Sequence, residues 1–289
     1  MIVELNIIII IIGFVVVGAF GVVSYFLEVV DVSGLLAGLL VGLLVWIFGG
    51  WSWFLLILCF HLFAALLTKF KYKKKEKSGL AQEKGGARGW PNVVANGIVA
   101  SLFSLFAGII FLITTINYDF FFFGFVGAVA AMTADTSATE LGLLSNSDPR
   151  LITTFKKVIP GTSGGVTLLG ELAALLGSAI IGLMGWLFAA FGLISINLIF
   201  KYPILIGAIA GGLLGCLVDS IIGATIQGLY KCKTCNKITE KKIHGCGTIT
   251  DHIQGIKSID NNIVNLLGSI SGAVFSIIFY LIINFFIGG

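Results

Sequence analysis

The sequence predicts an all-α fold, a polytopic bundle of about seven or eight transmembrane helices with short loops, and three observations lead to it. Hydrophobic residues make up 57% of the 289 residues and charged residues only 11%, whereas soluble proteins carry roughly 25% charged residues. The mean hydropathy is +1.06. Apolar runs of about 20 residues, enough to span a bilayer core, recur along the chain. This composition excludes a soluble enzyme, a nucleic-acid-binding protein and a disordered chain.

The N-terminal part predicts two or three spans. The first is expected near residues 5–27, and a polar break from Glu28 to Ser33 follows it. Its apolar run is too long for a signal peptide and has no basic start, so we expect a retained helix. Residues 34–68 are apolar-rich, and Gly49 and Gly50 could divide them into two short spans. Whether the total is seven or eight depends on that division.

Five further spans are expected in the rest of the chain. They lie near residues 93–116, 119–135, 166–192, 203–219 and 263–287, with a turn at Asn117, Tyr118 and Asp119 between the first two.

The basic residues indicate the orientation of the chain. Of the 18 Lys and Arg residues, all but Lys201 fall in three loops, at 69–88, 150–157 and 231–257. Basic loops face the cytoplasm, and the expected spans separate these loops by even numbers. We therefore expect a multi-pass protein of the cell membrane with its active site facing the cytoplasm. Residues 69–88 are most simply a solvated basic linker that attracts anionic lipid headgroups.

This pattern divides the chain into three parts. Residues 1–68 form N-terminal transmembrane helices, 69–92 a basic cytoplasmic loop, and 93–289 a catalytic transmembrane core that includes a Cys/His loop at 231–250.

Acidic residues near the cytoplasmic ends of the spans are the first candidates for chemistry. Asp135 and Asp219 each follow an outer turn by 16 residues, which is about 24 Å along a helix, so both should reach the same depth. Asp260 opens the last span from the same side, and Glu140 follows Asp135 closely. Acids in membrane spans mark functional sites by default, although each could instead cap a helix or pair with a lysine.

A glycine-rich segment at the same side is a candidate phosphate site. Lys156 and Lys157 precede the run Gly161, Thr162, Ser163, Gly164 and Gly165, which leads toward an apolar helix. Backbone amides of glycine turns and helix N-termini bind anions. The segment is not a P-loop, because no Gly-Lys-Ser/Thr follows the glycines. Arg88, Asn92 and Asn96 are further candidates for contact with a polar headgroup.

The cysteines fall into two kinds. Cys59 and Cys216 lie in apolar runs and are expected to be buried, as is His61. Cys232, Cys235, His244 and Cys246 have a spacing that suits tetrahedral zinc. Reduced thiols without metal and a redox pair remain as alternatives, and His252 is a spare ligand.

Four ordered stretches, AMTADTSATELGLLS, PRLITTFKKVIPGTSGGVTLLG, LVDSIIGATIQ and DNNIVNLLG, resemble the integral-membrane family that includes plant phytyl-phosphate kinase and animal transmembrane protein 19. The resemblance runs from about Arg88 to the C-terminus, and the Cys/His loop resembles the prokaryotic branch. Where the family often has Trp after the Asp-Thr of the first stretch, this chain has Ser137, which bears on substrate fit.

The resemblance implies a kinase that transfers a phosphoryl group from a nucleoside triphosphate, CTP foremost, to an isoprenyl monophosphate, giving the diphosphate. It carries over the positions Asp135, Glu140, Lys156, Lys157, Gly161 to Gly165, Asp219, Asp260, Asn261 and Asn265. We expect Asp135, Asp219 and Asp260 to hold the Mg²⁺, because Mg²⁺ prefers a few carboxylates with phosphate oxygens and water.

Three other functions compete with a lipid-phosphate kinase. A secondary transporter also uses membrane acids and broken helices, but places its site near the midplane between repeats. A cytidylyltransferase would use the same groups and release pyrophosphate. A purely structural protein would need none of these groups.

Overall fold

The computed structural model describes residues 7–78, 80–82, 84–114, 118–236, 238–240, 242–243 and 245–287. Eight helices in these ranges are long and apolar enough to cross a membrane, which confirms the polytopic helical fold. They are α1 (Ile7–Phe26), α2 (Val32–Gly49), α3 (Trp51–Lys69), α5 (Trp90–Ile113), α6 (Asp119–Gly142), α7 (Leu168–Ala190), α8 (Pro203–Thr225) and α9 (Asn261–Ile287), with a short helix α4 (Tyr72–Lys77) between α3 and α5.

The division between α2 and α3 falls at Gly50 and gives eight spans. Gly50 has φ 84°, and its amide donates to the Trp46 carbonyl, which closes α2 before α3 begins. Only glycine adopts this backbone region readily. The outer turn expected at 117–119 is described from Tyr118 onward, and Asn117 lies outside the described residues.

Two helices extend further than the sequence predicts. α6 continues to Gly142 rather than 135, and α8 continues to Thr225 rather than 219. Apolar run length marks the bilayer core, whereas a helix can continue into the polar interface. Asp135 and Asp219 therefore lie inside helices, about two turns from the ends.

The three basic loops meet at one end of the bundle. Lys75 of the first loop pairs with Glu140 near the end of α6, and Leu80 lies against Gly161 of the second loop. Ser163 of the second loop donates a hydrogen bond to Gln227, just after α8. The turn between α1 and α2 joins them, since the Asp31 amide donates to the Arg88 carbonyl at 3.1 Å. This end is the basic end of the bundle.

Short strands order the second and third loops. β1 (Arg150–Leu151) pairs antiparallel with β2 (Gly165–Val166). In the third loop, β3 (Leu229–Cys232) lies between β4 (Ile238–Thr239) and β5 (Thr250–Gln254) in an antiparallel sheet.

Helices α6, α8 and α9 approach to backbone contact through glycines. A Cβ atom at Gly127 or Gly211 would collide with the Gly272 carbonyl, and one at Gly215 would lie 2.8 Å from the Gly268 carbonyl. Small residues allow such close helix packing in membranes. The two helices that carry Asp135 and Asp219 are therefore held against each other.

The N-terminal helices belong to the same core. Trp53 of α3 is fully buried, and its ring lies 5.0 and 4.8 Å from those of Phe122 and Phe125 on α6. The buried hydrophobic cluster runs without a break from α1 to α9. The packing therefore continues across the boundary expected at residue 69.

Candidate active site

An acid pair lies at the basic end of the bundle. Asp135 on α6 and Asp219 on α8 are half-buried, and their carboxyl groups lie close enough to interact directly. Gly268 of α9 makes room for them, because a Cβ there would lie 3.2 Å from Asp219 Oδ2. That oxygen is buried and has no hydrogen-bond partner among the described residues. The equal depth expected from the sequence brings the two acids together.

Glu240 is a third carboxylate that the sequence reasoning missed. It follows β4 in the Cys/His loop and interacts electrostatically with both Asp135 and Asp219. Its one sequence signal is that it is the single acid in the basic stretch 231–250. Nothing in that stretch indicates that Glu240 comes near the acid pair.

Asp260 does not join this pair. Its carboxylate accepts a hydrogen bond from the Ile263 amide at 3.0 Å, so it caps α9, and the residue is exposed. Within the described residues, no three acidic ligand atoms lie within 4.8 Å of one another. The structure therefore does not assemble the expected three-aspartate magnesium site. An aspartate that precedes a helix can accept hydrogen bonds from the first amides of that helix. This capping role accounts for the position of Asp260.

The two asparagines of the α9 motif are placed differently. Asn261 is exposed at the first residue of α9. Asn265 is buried one turn further on, in the turn before Gly268, which contacts Asp219. Asn265 is the one of the two that lies near the acid pair.

Glu140 is engaged in a buried ion pair. Its Oε2 accepts from Lys75 at 2.5 Å and its Oε1 from Thr68 at 2.8 Å, and Lys75 also donates to the carbonyls of Leu67 and Thr68. Lys75 is only 2% exposed, so the first basic loop is not simply a solvated linker. Both carboxylate oxygens of Glu140 are engaged in these contacts. Because Lys75 belongs to the first basic loop, the ion pair holds that loop beside the acid pair.

Arg88 brings a cation to the same region. Its guanidinium donates to Asn92 at 3.2 Å and to Thr68 at 3.5 Å, and it interacts electrostatically with Glu140 and Asp135. Burial lowers the pKa of Arg88, and these two carboxylates oppose that shift. Arginine stays protonated in proteins, so a positive charge lies near Asp135.

Asn92 and Asn96 lie in the first turns of α5, behind Arg88. The Asn96 side chain donates to the Asn92 carbonyl at 2.7 Å, and Asn96 is buried. Together they order the helix start that carries Arg88.

The glycine-rich segment forms a hairpin rather than a helix start. Gly161 and Gly164 have φ values of +85° and +71°, and the amides of Thr162 and Gly165 donate to carbonyls within the segment. α7 begins only at Leu168, where Thr167 caps it by accepting from the Gly170 amide. The anion site expected from a glycine run at a helix N-terminus is therefore not formed in that way.

The hairpin instead docks on the end of α8. Ser163 Oγ lies 2.7 Å from Gln227 Oε1, and a Cβ at Gly164 would lie 2.6 Å from the carbonyl of Ser220, the residue after Asp219. Close approach of this kind requires glycine. The segment thus lies beside the acid pair although it does not open α7.

The two lysines before the hairpin lie at its surface. Lys156 is exposed, and Lys157 forms an exposed ion pair with Asp148 at 3.0 Å. Both remain accessible to a soluble polyanion.

Three cysteines form a cluster in the third loop. The Cys246 sulfur lies 3.6 Å from that of Cys232 and 3.5 Å from that of Cys235, and all three lie within 4.8 Å of one another. A tetrahedral zinc with bonds of about 2.3 Å separates its sulfurs by about 3.8 Å, so the cluster fits zinc. The hydrogen bond with Cys246 raises the pKa of Cys235 to about 11, and a bound metal would replace these protons.

The histidines differ in their relation to this cluster. His244 lies outside the described residues. His252 packs edge-on against Tyr230 and is not part of the group of ligand atoms. His61 lies 2.9 Å from Ser24 Oγ inside the N-terminal helices, and Cys216 is buried while Cys59 is half-buried.

Comparisons with known proteins agree on a membrane family. The profile of the family described as "Integral membrane protein DUF92" matches residues 15–273. The chain is 34% identical to Protein PGR of Arabidopsis thaliana over 262 residues, 84% of this chain and 86% of that protein. It is 34% identical to the uncharacterized membrane protein MJ0933 of Methanocaldococcus jannaschii, over 68% of this chain and 74% of that protein.

A further relative covers less. Protein VTE6, chloroplastic, of Arabidopsis thaliana is 32% identical over 53% of this chain and 46% of that protein. No solved structure matches the chain. The family match begins at residue 15, well before the start near Arg88 expected from motifs alone, so the N-terminal helices are part of the family's common unit.

Proposed function

Because the chain belongs to the DUF92 integral membrane family, we propose that it is a membrane lipid-phosphate kinase. It transfers a phosphoryl group from a nucleoside triphosphate, CTP foremost, to an isoprenyl monophosphate such as phytyl or geranylgeranyl phosphate. The observation that carries the proposal is the acid pair of Asp135 and Asp219, with Arg88 and the glycine hairpin beside it at the basic end. The family resemblance supports the substrate class.

The acid pair suits Mg²⁺. Two carboxylates held close together repel each other, and a divalent cation between them would offset that repulsion. Asp219 Oδ2 is buried without a partner in the described chain, which leaves an oxygen for a ligand, and Glu240 adds negative charge nearby. Asp135 and Asp219 would hold the ion, as Mg²⁺ uses one or two carboxylates with phosphates. Bound there, Mg²⁺ would neutralise charge on the transferred phosphoryl group.

The chain's own residues align two polyanions. Arg88 holds the acceptor phosphate beside the acid pair, since a guanidinium matches phosphate geometry. Lys156 and Lys157 attract the soluble nucleotide from the cytoplasmic side. Phosphoryl transfer requires mainly such positioning and charge neutralisation.

The bond changes need no added base. An oxygen of the lipid phosphate, already ionised at neutral pH, forms a bond to the γ-phosphorus of the nucleotide. The bond from that phosphorus to the bridging oxygen breaks, and the nucleoside diphosphate leaves with the electron pair. The products are the lipid diphosphate and a nucleoside diphosphate.

The proposed orientation places this chemistry at the cytoplasmic face of the cell membrane. The three basic loops meet at the end where the acid pair lies, and basic loops face the cytoplasm. A transporter would place its acids near the midplane, so the position of the pair favours an enzyme.

The test is a product analysis. Purified protein is incubated with Mg²⁺, each labelled nucleoside triphosphate and a panel of isoprenyl monophosphates. We expect a lipid diphosphate and a nucleoside diphosphate. A nucleotidyl lipid with pyrophosphate would identify a cytidylyltransferase instead. Absence of any product, with flux across proteoliposomes, would support the transporter and refute the kinase.

A further inference from the structure

A basic recess lies where the spans α1 and α3 end, apart from the acid pair. Its volume is about 520 Å³, within the range of pockets that hold one small molecule. The proposed phosphoryl transfer gives no role to the residues around it. They come from the turn after α1, the end of α3, the start of α4 and the turn before α5, and they are Glu28, Lys69, Lys71, Tyr72, Lys73 and Gly85.

The three lysines of this recess keep their charge available. All three are exposed, as is Glu28, and in the described part of the chain the ion pairs are formed by other lysines. Lys69 donates one hydrogen bond, to the Gly85 carbonyl at 3.0 Å, and an ammonium group has three donors. The recess therefore offers an excess of positive charge to an anion.

The backbone around the recess has an unusual conformation. Glu28 and Lys71 have φ values of 54° and 50°, and Gly85 has 66°, a region that residues other than glycine rarely adopt. Residues held in this region cluster at ligand sites. Tyr72 Oη donates to the Gln82 carbonyl at 2.6 Å, which fixes the start of α4 against the next turn. The lysines are thus presented by a frame that is already formed.

Exposed apolar side chains adjoin the recess. Leu27, directly before Glu28, is 63% exposed, and Phe70, between Lys69 and Lys71, is 48% exposed. Leu66, one turn earlier on α3, is 69% exposed. The ends of two spans therefore bring lysines and apolar surface together.

We propose that the recess binds the headgroup of an anionic phospholipid, whose acyl chains lie along the exposed apolar residues at the ends of α1 and α3. The phosphate contacts Lys69, Lys71 and Lys73. The lysines require an anion, and the apolar border favours one that carries hydrocarbon chains over a soluble phosphate or a nucleotide. Basic pockets between membrane helices bind lipid headgroups in this way. This binding does not depend on the proposed kinase activity.

The test variant combines Lys71→Gln with Lys73→Gln, and the matched control combines Lys74→Gln with Lys77→Gln. All four lysines are exposed and belong to the first basic loop, but Lys74 and Lys77 do not line the recess. Both double variants remove the same charge from the same loop. A general attraction between the loop and anions therefore predicts equal effects, whereas a site predicts unequal ones.

Affinity for dioctanoyl phosphatidylglycerol is measured on purified protein in a neutral detergent at physiological ionic strength, by competition with a fluorescent analogue of the same lipid. Dioctanoyl phosphatidylcholine, inorganic phosphate and CTP are tested in parallel as competitors. The neutral detergent removes the surface potential of an anionic bilayer, so that contacts with the individual lipid are measured.

We expect saturable binding of phosphatidylglycerol, and competition by the other three compounds that is weaker by at least about tenfold. The variant at Lys71 and Lys73 should weaken binding of phosphatidylglycerol by at least about tenfold, since one lysine beside an anionic lipid contributes about fivefold in affinity. The variant at Lys74 and Lys77 should change it by less than about twofold, because salt screens exposed charges that do not contact the headgroup.

Three results would overturn the inference. Equal losses in the two folded double variants would indicate a general attraction to the basic loop. Competition by inorganic phosphate or CTP as strong as that by the lipid would identify a site for soluble anions. Equal binding of phosphatidylcholine would indicate that the lysines do not select the headgroup. If the test variant does not fold, Lys73→Gln against Lys74→Gln repeats the comparison with single changes.

Discussion

Removal of Lys75 should destabilise the protein far more than removal of an exposed lysine. Lys75→Met keeps most of the side-chain volume but leaves the buried Glu140 carboxylate with Thr68 as its remaining hydrogen-bond donor among the described residues, and the carbonyls of Leu67 and Thr68 without this donor. Both partners are nearly inaccessible to solvent, with side-chain exposures of 1% and 4%. Breaking one side of such a pair costs about 3–5 kcal/mol.

The assay is unfolding in detergent, followed by helix content, for each single variant and for Lys75→Met with Glu140→Gln. The double variant should recover part of the loss, because neither charge of the pair then stays buried. Lys157→Met is the control: its pair with Asp148 is 67% and 61% exposed, and such pairs contribute about 0–1 kcal/mol. Equal losses for Lys75→Met and Lys157→Met, or a double variant equal to the sum of its singles, would refute the reasoning.

Three further predictions concern the chemistry, the metal and the topology. Asp219→Asn keeps size and hydrogen bonding but removes charge, so phosphoryl transfer should fall by at least ~10²; near-normal turnover in folded protein would exclude Asp219 as a metal ligand. Protein purified without added zinc should contain about one zinc per chain, which Cys235→Ser should lose along with loop order; a metal-free preparation that keeps full activity and an ordered loop would contradict this. Single cysteines at 74, 152 and 238 should be labelled from the cytoplasmic face, and labelling of one from the other face would overturn the proposed orientation.

The sequence predicted those features that depend on regular geometry. Equal helical rise from two outer turns placed Asp135 and Asp219 at one depth, and the structure brings them together. Apolar run length located the spans but not their ends, since α6 and α8 continue past the apolar region. The division at Gly50 depends on a positive φ angle. A glycine can adopt this angle but can also continue a helix, so the sequence left the choice between seven and eight spans open.

The remaining features depend on contacts between distant residues. A lysine in a basic run is expected to be solvated, and burial of Lys75 follows only from Glu140, 65 residues away. Glu240 was missed because its position depends on how β3, β4 and the cysteine cluster fold the third loop. Asp260 was expected at the acid pair, yet it serves its own helix.

The glycine contacts among α6, α8 and α9 restrict how the protein can change conformation. With carbonyls of α9 against Gly127, Gly211 and Gly215, these helices cannot slide or spread without opening voids in a close-packed core. The distance between α6 and α8, which carry Asp135 and Asp219, is thus a fixed dimension of the molecule. Any movement during the proposed reaction would involve weakly packed elements. These are the loops above the acids, and α1, which has three buried residues along its 20-residue length.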